Sequence, residues 1–396
     1  MLTKSVNFFW TVVVAVVSHG FFAQADTQTG VSFRIHHPYV SPRALGMGDA
    51  FVAVSDDYSS IYYNPAGLAG RKDGEMNFGF DMGVSSSFFS MINDLSTASN
   101  KPGTSSQKSQ YVMDEITKLY GQSYMARGGL NGIWVRPGWG IGVSLLDLTA
   151  EMSIHKQSGP SVNTTMYLDS NFTYGYGKEV TWFENAKTSV GVSGKFVNRG
   201  YFSKSINFME IAADPNLIKT SDLQEGYTID ADLGMLYTPE IPEQGFWKYL
   251  KYTKPTFGVV ARNILELGFG QSLKLINKTT TSAPEKMYRV IDIGSRWEYP
   301  KAWIFSGRGA MDFRDIGHPY VNFRKSLHLG FEFDWTMYSW WKGAYRVGLN
   351  QGYLTAGISA LFSFFNLDLL TYSEDVGSYN EPQENRVYAL KMNLNF

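Results

Sequence analysis

The chain has 396 residues, a formal charge of −1 from 35 Lys and Arg against 36 Asp and Glu, no cysteine, and 15% aromatic but only 18% charged residues. Such a balance leaves no basic footprint for nucleic acid, and the missing thiols rule out a disulfide framework and cysteine metal sites. Few charges beside many aromatics also exclude a disordered chain.

Residues 1–25 read as a secretory signal peptide. Lys4 supplies the positive start, VNFFWTVVVAVV the apolar region, and Ala23-Gln24-Ala25 the small-residue cleavage site, so Asp26 is expected to open the mature protein. The alternative is an uncleaved anchor, but the run falls short of the ~20 apolar residues a membrane helix needs. No later stretch reaches that length either, so the mature chain is not expected to cross a membrane by helices.

Residues 26–72 form the next unit, ahead of the first strand. Within SDDYSSIYYNPAGL, Ser55 or Asp56 is expected to cap a short helix whose first turn carries acidic side chains, as the helix dipole favours. Asn64-Pro65 should end it, because the residue before proline is pushed out of the helical region. Upstream, Gly46 and Gly48 permit tight turns, and AFVAV forms a short extended or helical piece. The expected product is a compact plug.

From residue 73 onward strict alternation dominates. Phe331, Phe333 and Trp335 share one face, with Leu327, Leu329, Phe323 and Lys325 before them; Arg324, Ser326, His328, Glu332 and Asp334 share the other. We place about 14 such stretches, at 74–82, 129–137, 139–154, 163–178, 186–199, 226–238, 254–263, 286–298, 302–313, 323–334, 340–350, 353–362, 366–374 and 385–396, an even number as bacterial single-chain barrels require. Their length suits a membrane barrel, which needs about 9 to 11 tilted residues per strand; a soluble sandwich has a mode near 5–6. The fold class is therefore all-β: a 14-stranded antiparallel transmembrane barrel over 73–396.

Connections alternate in length. RPGWG, WFENA and EYPKA are tight, whereas 83–128, 200–225 and 264–285 are long, the asymmetry of short periplasmic turns and long external loops with both termini periplasmic. Residues 239–253 break the pattern and are expected to form a short amphipathic helix at the interface. Loop 83–128 starts with a flexible Ser/Thr/Asn-rich part and continues into a helix near 111–119, with Gly121 as its C-cap, placed either over the barrel mouth or as an ordinary packed loop. Aromatic groups gather at strand ends, Trp335, Tyr338, Trp340 and Trp341 at one junction and Phe246, Trp247, Tyr249 and Tyr252 at another, where membrane interfaces favour them. The last strand alternates Tyr388, Leu390, Met392, Leu394 and Phe396 against Lys391, Asn393 and Asn395.

The segment RALGMGDAFVAVSDD followed by YYNPAGL resembles the N-terminal hatch of the FadL-type outer-membrane transporters. Its signature tripeptide is here Asn64, Pro65 and Ala66, with the acidic pair Asp56 and Asp57 upstream, and the terminal Phe396 matches the assembly signature of such barrels. The resemblance implies a monomeric barrel in the bacterial outer membrane, plugged by the hatch and taking up hydrophobic molecules such as long-chain fatty acids. Hatch shifts and an opening in the wall would release them sideways into the bilayer, where an apolar molecule keeps its gain of about 25 cal/mol per Å². Phe51, Val52, Val54, Ile61, Tyr62, Tyr63 and Leu68 are then candidates to line or gate the path, the alternative for each being plain packing against the wall. Relatives resembling PorV share the hatch signature and act as non-transporting partners of exported proteins, so a protein partner stays open beside a lipid one. A porin for polar solutes is the third reading.

Enzyme chemistry finds little footing. Ser326 and His328 lie two apart on one strand face by alternation alone, and His36-His37 lacks the spaced His, Glu or Cys companions of a metal site. No cofactor, catalytic residue or nucleic-acid partner is expected. The inward charges Asp292, Arg296, Glu298, Arg308, Asp312, Arg324, Glu332 and Asp334 mix both signs, as a self-neutralising brace between wall and hatch would.

Overall fold

A computed structural model describes residues 33–155, 161–207, 222–242, 245, 251–279 and 282–396. The signal peptide, the aromatic residues Phe246, Trp247 and Tyr249, and residues 243, 244 and 246–250 of the interfacial helix expected at 239–253 lie outside the described residues.

Alternating side chains with no helical period fold as strands, and fourteen of them are present: β1 Glu75–Ser85, β2 Ser123–Arg136, β3 Trp139–His155, β4 Ser161–Val180, β5 Ala186–Asn207, β6 Gln224–Pro239, β7 Thr256–Arg262, β8 Val290–Ala302, β9 Phe305–Ile316, β10 Leu327–Tyr338, β11 Trp341–Asn350, β12 Tyr353–Phe362, β13 Phe365–Asp375 and β14 Glu384–Asn395. Every strand pairs antiparallel with its sequence neighbours, and β1 pairs with β14 to close the barrel. Phe396 completes the seam: its N–H donates to the Met76 carbonyl at 2.9 Å and its own carbonyl accepts from Met76 N–H at the same distance. The ring of Phe396 stacks on Phe364.

Polarity is inverted relative to a soluble protein. On β10, Phe331 and Phe333 are 43% and 45% exposed on the outside, while Glu332 between them is wholly buried inside. An apolar exterior around a charged interior is the surface a membrane-spanning barrel presents to lipid. At one end the strands join through short turns, apart from the longer β6–β7 connection at 240–255, and there Trp335 packs on Trp341 and Tyr338 on Trp340 as an interfacial belt. At the other end loops are mostly long, although β11 and β12 are joined by two residues, Gln351 and Gly352.

Wall height is uneven. Strands β3, β4 and β5 run for 17, 20 and 22 residues, whereas β11, β12 and β13 have 10, 10 and 11. The shorter strands match the ~9–11 residues a bilayer needs, so the tall side projects beyond it. This explains a departure from the expectation for residues 83–128. The Ser/Thr/Asn-rich part is helical: it forms α3 (Phe88–Ser99; α1 and α2 belong to the hatch, below) and opens α4 (Ser105–Lys118), which Thr104 and Gln107 start with a capping box. Nor do the helices cover the mouth. Met91, Ile116 and Leu119 pack on Tyr124, Ile154 and Val162, the outward face of β2 to β4 above the lipid, and so keep that apolar face from water.

A second overhang is managed differently. Strand β6 pairs with β7 only from Leu233 to Tyr237, which leaves its upper edge bare. Bare edges invite association. Residues 263–279 strap it: Asp232 and Asp230 carboxylates accept from the N–H of Asn263 and Leu265, and Glu225 accepts from the N–H of Leu275, Ile276 and Asn277.

One further correction concerns Phe323–Ser326, which forms a helical turn, α5, instead of the start of a strand. Alternation over four residues does not distinguish the two, and Asn322 decides: its side chain accepts from Lys325 N–H at 2.8 Å while Ser326 N–H donates to its carbonyl at 2.9 Å. Arg324 is accordingly half exposed at the rim, paired with Asp375 at 3.4 Å, rather than inside the barrel.

Candidate functional site

Residues 33–74 fill the lumen as a hatch with two short helices, α1 (Pro42–Gly46) and α2 (Ser60–Tyr63), followed by a 3-10 turn, Pro65–Gly70. Neither expected cap serves α2. Ser55 sits at φ 24° with its Oγ donating to the Phe51 carbonyl, and Asp56 faces arginines. Asp57 instead accepts from Ser59 N–H at 2.8 Å and Ser59 Oγ–H at 2.6 Å.

Asn64 ends α2 as expected and does more. Its Oδ1 accepts from Ala66 N–H at 3.1 Å, capping the 3-10 turn, while its Nδ2 donates to the carbonyls of Val52 at 3.0 Å and of Met235 on β6 at 3.2 Å. One wholly buried amide thus joins two hatch segments to the wall. Pro65 sits at the first position of the turn, where a missing N–H costs nothing. Asn64→Asp keeps the acceptor and loses the donor, placing a carboxylate against two carbonyls. We expect a loss of roughly 1–3 kcal/mol in stability, read from the urea midpoint in detergent, whereas Pro65→Ala should cost less.

The hatch backbone lies directly against the wall because glycines face it. An ideal Cβ on Gly330 would stand 2.3 Å from the Met47 carbonyl oxygen, and one on Gly348 would stand 2.5 Å from Gly48 N. Gly48 itself holds φ at 64°. Inward polar side chains then satisfy the hatch backbone. Asp312 accepts from Phe51 and Val52 N–H at 2.5 and 2.7 Å, Thr355 donates to the Gly46 carbonyl at 3.1 Å, and His328 Nδ1 donates to the Gly48 carbonyl at 2.8 Å. Ser326 Oγ–H donates to its own helix, at Phe323, so it forms no pair with His328.

Near the turn end, hatch and wall share a charge network. Arg43 donates to Asp56 at 2.7 Å, to Asp57 at 2.9 Å and to both oxygens of Glu332 at 2.8 and 2.7 Å. Arg308 bridges Asp56, Glu332 and Asp334, and Arg346 donates to Glu332 at 2.7 Å. Lys391, fully buried on β14, lies 5.6 and 5.8 Å from the ring centres of Tyr39 and Tyr58.

At the loop end, residues 33–40 cross the lumen as a strap. Arg34 pairs with Glu151 on β3 at 2.6 Å and with Glu374 on β13. His36 meets Asp169 on β4 at 2.9 Å and His37 meets Asp315 on β9 at 3.2 Å. Burial pushes the His36 imidazole down to about 3 in spite of Asp169, and burial, then Arg314 and Arg262, lower His37 as well. An undocked histidine titrates near 6.5. Between that value and about 3, an undocked strap binds protons that the docked strap refuses, so docking weakens as pH falls through this window and is unaffected above it. A nitroxide on Pro38→Cys should sharpen progressively from pH 7 to pH 4 in electron spin resonance spectra, and His36→Gln should flatten the response.

Between the strap, Tyr62 and Tyr63 of the hatch, strands β4 to β9 and residues 285–290 lies a cavity of about 120 Å³. Tyr39, Tyr167, Tyr201, Lys195, Arg199, Arg262 and Arg314 dominate its wall, with Ile35, Pro38, Val197, Met287 and Val290 as apolar patches. Its cations are already matched. Arg199 makes a two-pronged contact with Asp169 at 2.8 Å, Lys195 meets Asp232 at 2.7 Å, Arg314 pairs with Asp49, and Arg262 pairs with Asp292 and donates to the Tyr63 carbonyl at 2.7 Å.

Of the seven residues singled out as a hydrophobic path, Tyr62 and Tyr63 line this cavity, whereas Phe51, Val52, Val54, Ile61 and Leu68 are wholly buried in the hatch and against the wall. Sequence reasoning missed Arg43 and the strap. The acidic pair Asp56-Asp57, thirteen residues downstream, was the available signal for a buried basic partner; the strap has no periodicity to reveal it.

The ladders run round the whole barrel with local faults. The clearest is a bulge in β3 at Leu145, where the register slips against both β2 and β4. Beside it the lipid face is hollowed into an apolar groove of about 730 Å³ lined by Phe78, Phe80, Leu130, Ile141, Leu145 and Met392.

No protein-family model matches the chain, and no curated protein matches it in sequence. Among solved structures, similar ones include the toluene transporter TbuX of Ralstonia pickettii, at 8% identity over 90% of this chain and 98% of that one with a TM-score of 0.46. A FadL homologue of Pseudomonas aeruginosa is similar at 9% identity, 92% and 98% coverage and a TM-score of 0.41. The Pseudomonas putida toluene transporter TodX follows at 7% identity, 86% and 93% coverage and 0.39. At these values the likeness carries nothing about ligand or mechanism.

Proposed function

We propose that this chain is a bacterial outer-membrane channel of the FadL type, which takes up hydrophobic small molecules past a gated hatch and releases them sideways into the bilayer. The observation that carries this reading is a fourteen-stranded barrel stoppered from within by a hatch that bears the Asn64-Pro65-Ala66 signature. The β3 bulge with its adjoining apolar groove supports sideways release, because a faulted ladder is the least costly place to part the wall. The lumenal cavity, at about 120 Å³, is somewhat smaller than the ~150 Å³ that holds one benzene, so a ring or a long acyl chain enters only as the strap gives way.

A second reading, a PorV-like protein that binds exported partners and transports nothing, draws on a different observation: the cavity is small and charged, and only two of the seven path residues reach it. Native mass spectrometry in mild detergent separates the two. Bound fatty acids or hydrocarbons support uptake; a stoichiometric protein partner with no small ligand overturns it. Steady ion conductance of the intact protein in planar bilayers would overturn both in favour of a porin.

A further inference from the structure

The α3–α4 hairpin covers the outer face of the tall wall, yet one flank of α3 is left uncovered. Met91, Leu95 and Ala98 turn toward the wall and α4, whereas Phe89 is 66% and Ile92 47% exposed, one helical turn apart. Two such side chains on one flank gain nothing in water.

Their position says what they meet. The outward row of β1, Phe78, Phe80 and Met82, is lipid-facing at 50, 39 and 49% exposure, and only Ser86 and Ser87 separate the end of β1 from α3. At ~3.3 Å per residue β1 ends at Ser85 about 10 Å beyond Met82, in the headgroup layer above the apolar band, and the chain turns there directly into α3. Phe89 and Ile92 thus continue the bilayer-facing surface without a break. Through α3 the chain carries one charge, Asp94, while Lys108, Asp114, Glu115 and Lys118 sit on α4.

We propose that the first turn of α3 rests in the boundary between headgroups and acyl chains of the loop-side leaflet, with Phe89 and Ile92 inserted, so that the hairpin is a lipid-contacting foot. An aromatic and an aliphatic side chain together on one flank form the kind of apolar face by which interfacial helices enter the headgroup boundary, and α3 brings only Asp94 to oppose it. The foot fixes how deep the uneven barrel sits and keeps the β2 to β4 wall capped at the same level. This rests on the barrel spanning a membrane.

The absence of cysteine makes the test direct. Phe89→Cys, Ile92→Cys, Gln110→Cys on the exposed side of α4, and Phe331→Cys on the barrel wall are labelled singly with bimane. Each is checked for folded-barrel gel mobility and reconstituted in phosphatidylcholine vesicles, with or without a lipid bearing a nitroxide near the top of its chain. Bimane at positions 89 and 92 should follow position 331, losing at least about half its emission to the nitroxide lipid and resisting aqueous iodide, while position 110 behaves oppositely. Iodide access at 89 and 92 equal to that at 110 overturns the proposal. So does protection from both quenchers, which means a protein or second copy covers the site. Failure of position 331 to meet the nitroxide lipid overturns the membrane reading itself.

Discussion

Gly191→Leu unseats the hatch: the barrel stays folded, the 3-10 turn becomes open to protease, and a silent protein conducts ions. An ideal Cβ on Gly191 would stand 2.3 Å from the Pro65 carbonyl carbon and 2.4 Å from Ala66 N, and one on Gly177 2.6 Å from the Pro65 oxygen. These contacts are with backbone, which has no rotamer to change. The hatch cannot retreat either, since its far side meets Gly330 and Gly348 just as closely. Overpacking costs typically 1–3 kcal/mol even where side chains can adjust; here the cheaper response is for the turn to leave its seat. Gly194→Leu, on the same strand with nothing within 4 Å of an added Cβ, is the matched control and should stay silent and protease-resistant. Equal behaviour of the two variants would show that the hatch is not held by this fit.

Glu332→Ala gives the second large effect, a loss of about 3–5 kcal/mol, because three guanidinium groups lose one buried counter-charge together. Glu332 has no exposed side-chain surface and takes Arg43, Arg346 and Arg308 at 2.7, 2.7 and 3.3 Å. Asp334, two residues on and pointing the same way, meets only Arg308 among the described residues, at 3.4 Å and from a side chain 32% exposed. Asp334→Ala should cost less than about 1 kcal/mol. Chemical denaturation of both variants in one detergent reads the difference; similar midpoints would mean that the network braces nothing.

How legible all this is in the sequence depends on what signals each part. Alternation locates every strand, because each must show one face to lipid and one to the lumen, and the mixed inward charges announce the network that Arg308, Glu332 and Asp334 join. The hatch motif places Asn64 correctly since its caps are local. What fails is long-range: that Arg43 is the counter-charge for Asp56 and Asp57 depends on a wall residue, Glu332, 289 positions away. The hairpin's position, over the mouth or packed as an ordinary loop, is left open, because its apolar spacing tells of a covered face and nothing about which side of the wall is covered. Phe323–Ser326 misleads since one helical turn alternates as a strand does, and the capping asparagine outweighs the pattern.

The seam between β1 and β14 also ties closure of the wall to seating of the hatch. Hatch residues touch strands on both sides of the lumen, and Arg34 reaches Glu374 across 340 positions of chain. Yet the cylinder is incomplete until the last strand, ending beside Phe396, has found the first. Contacts of such separation form slowly, because loop closure must precede any return from them. Hatch docking and seam closure therefore draw on equally distant parts of the chain, with Asn77 meeting Asn395 at the seam as Arg34 meets Glu374 across the lumen. The pairing of the final residues completes the wall that encloses the earliest ones.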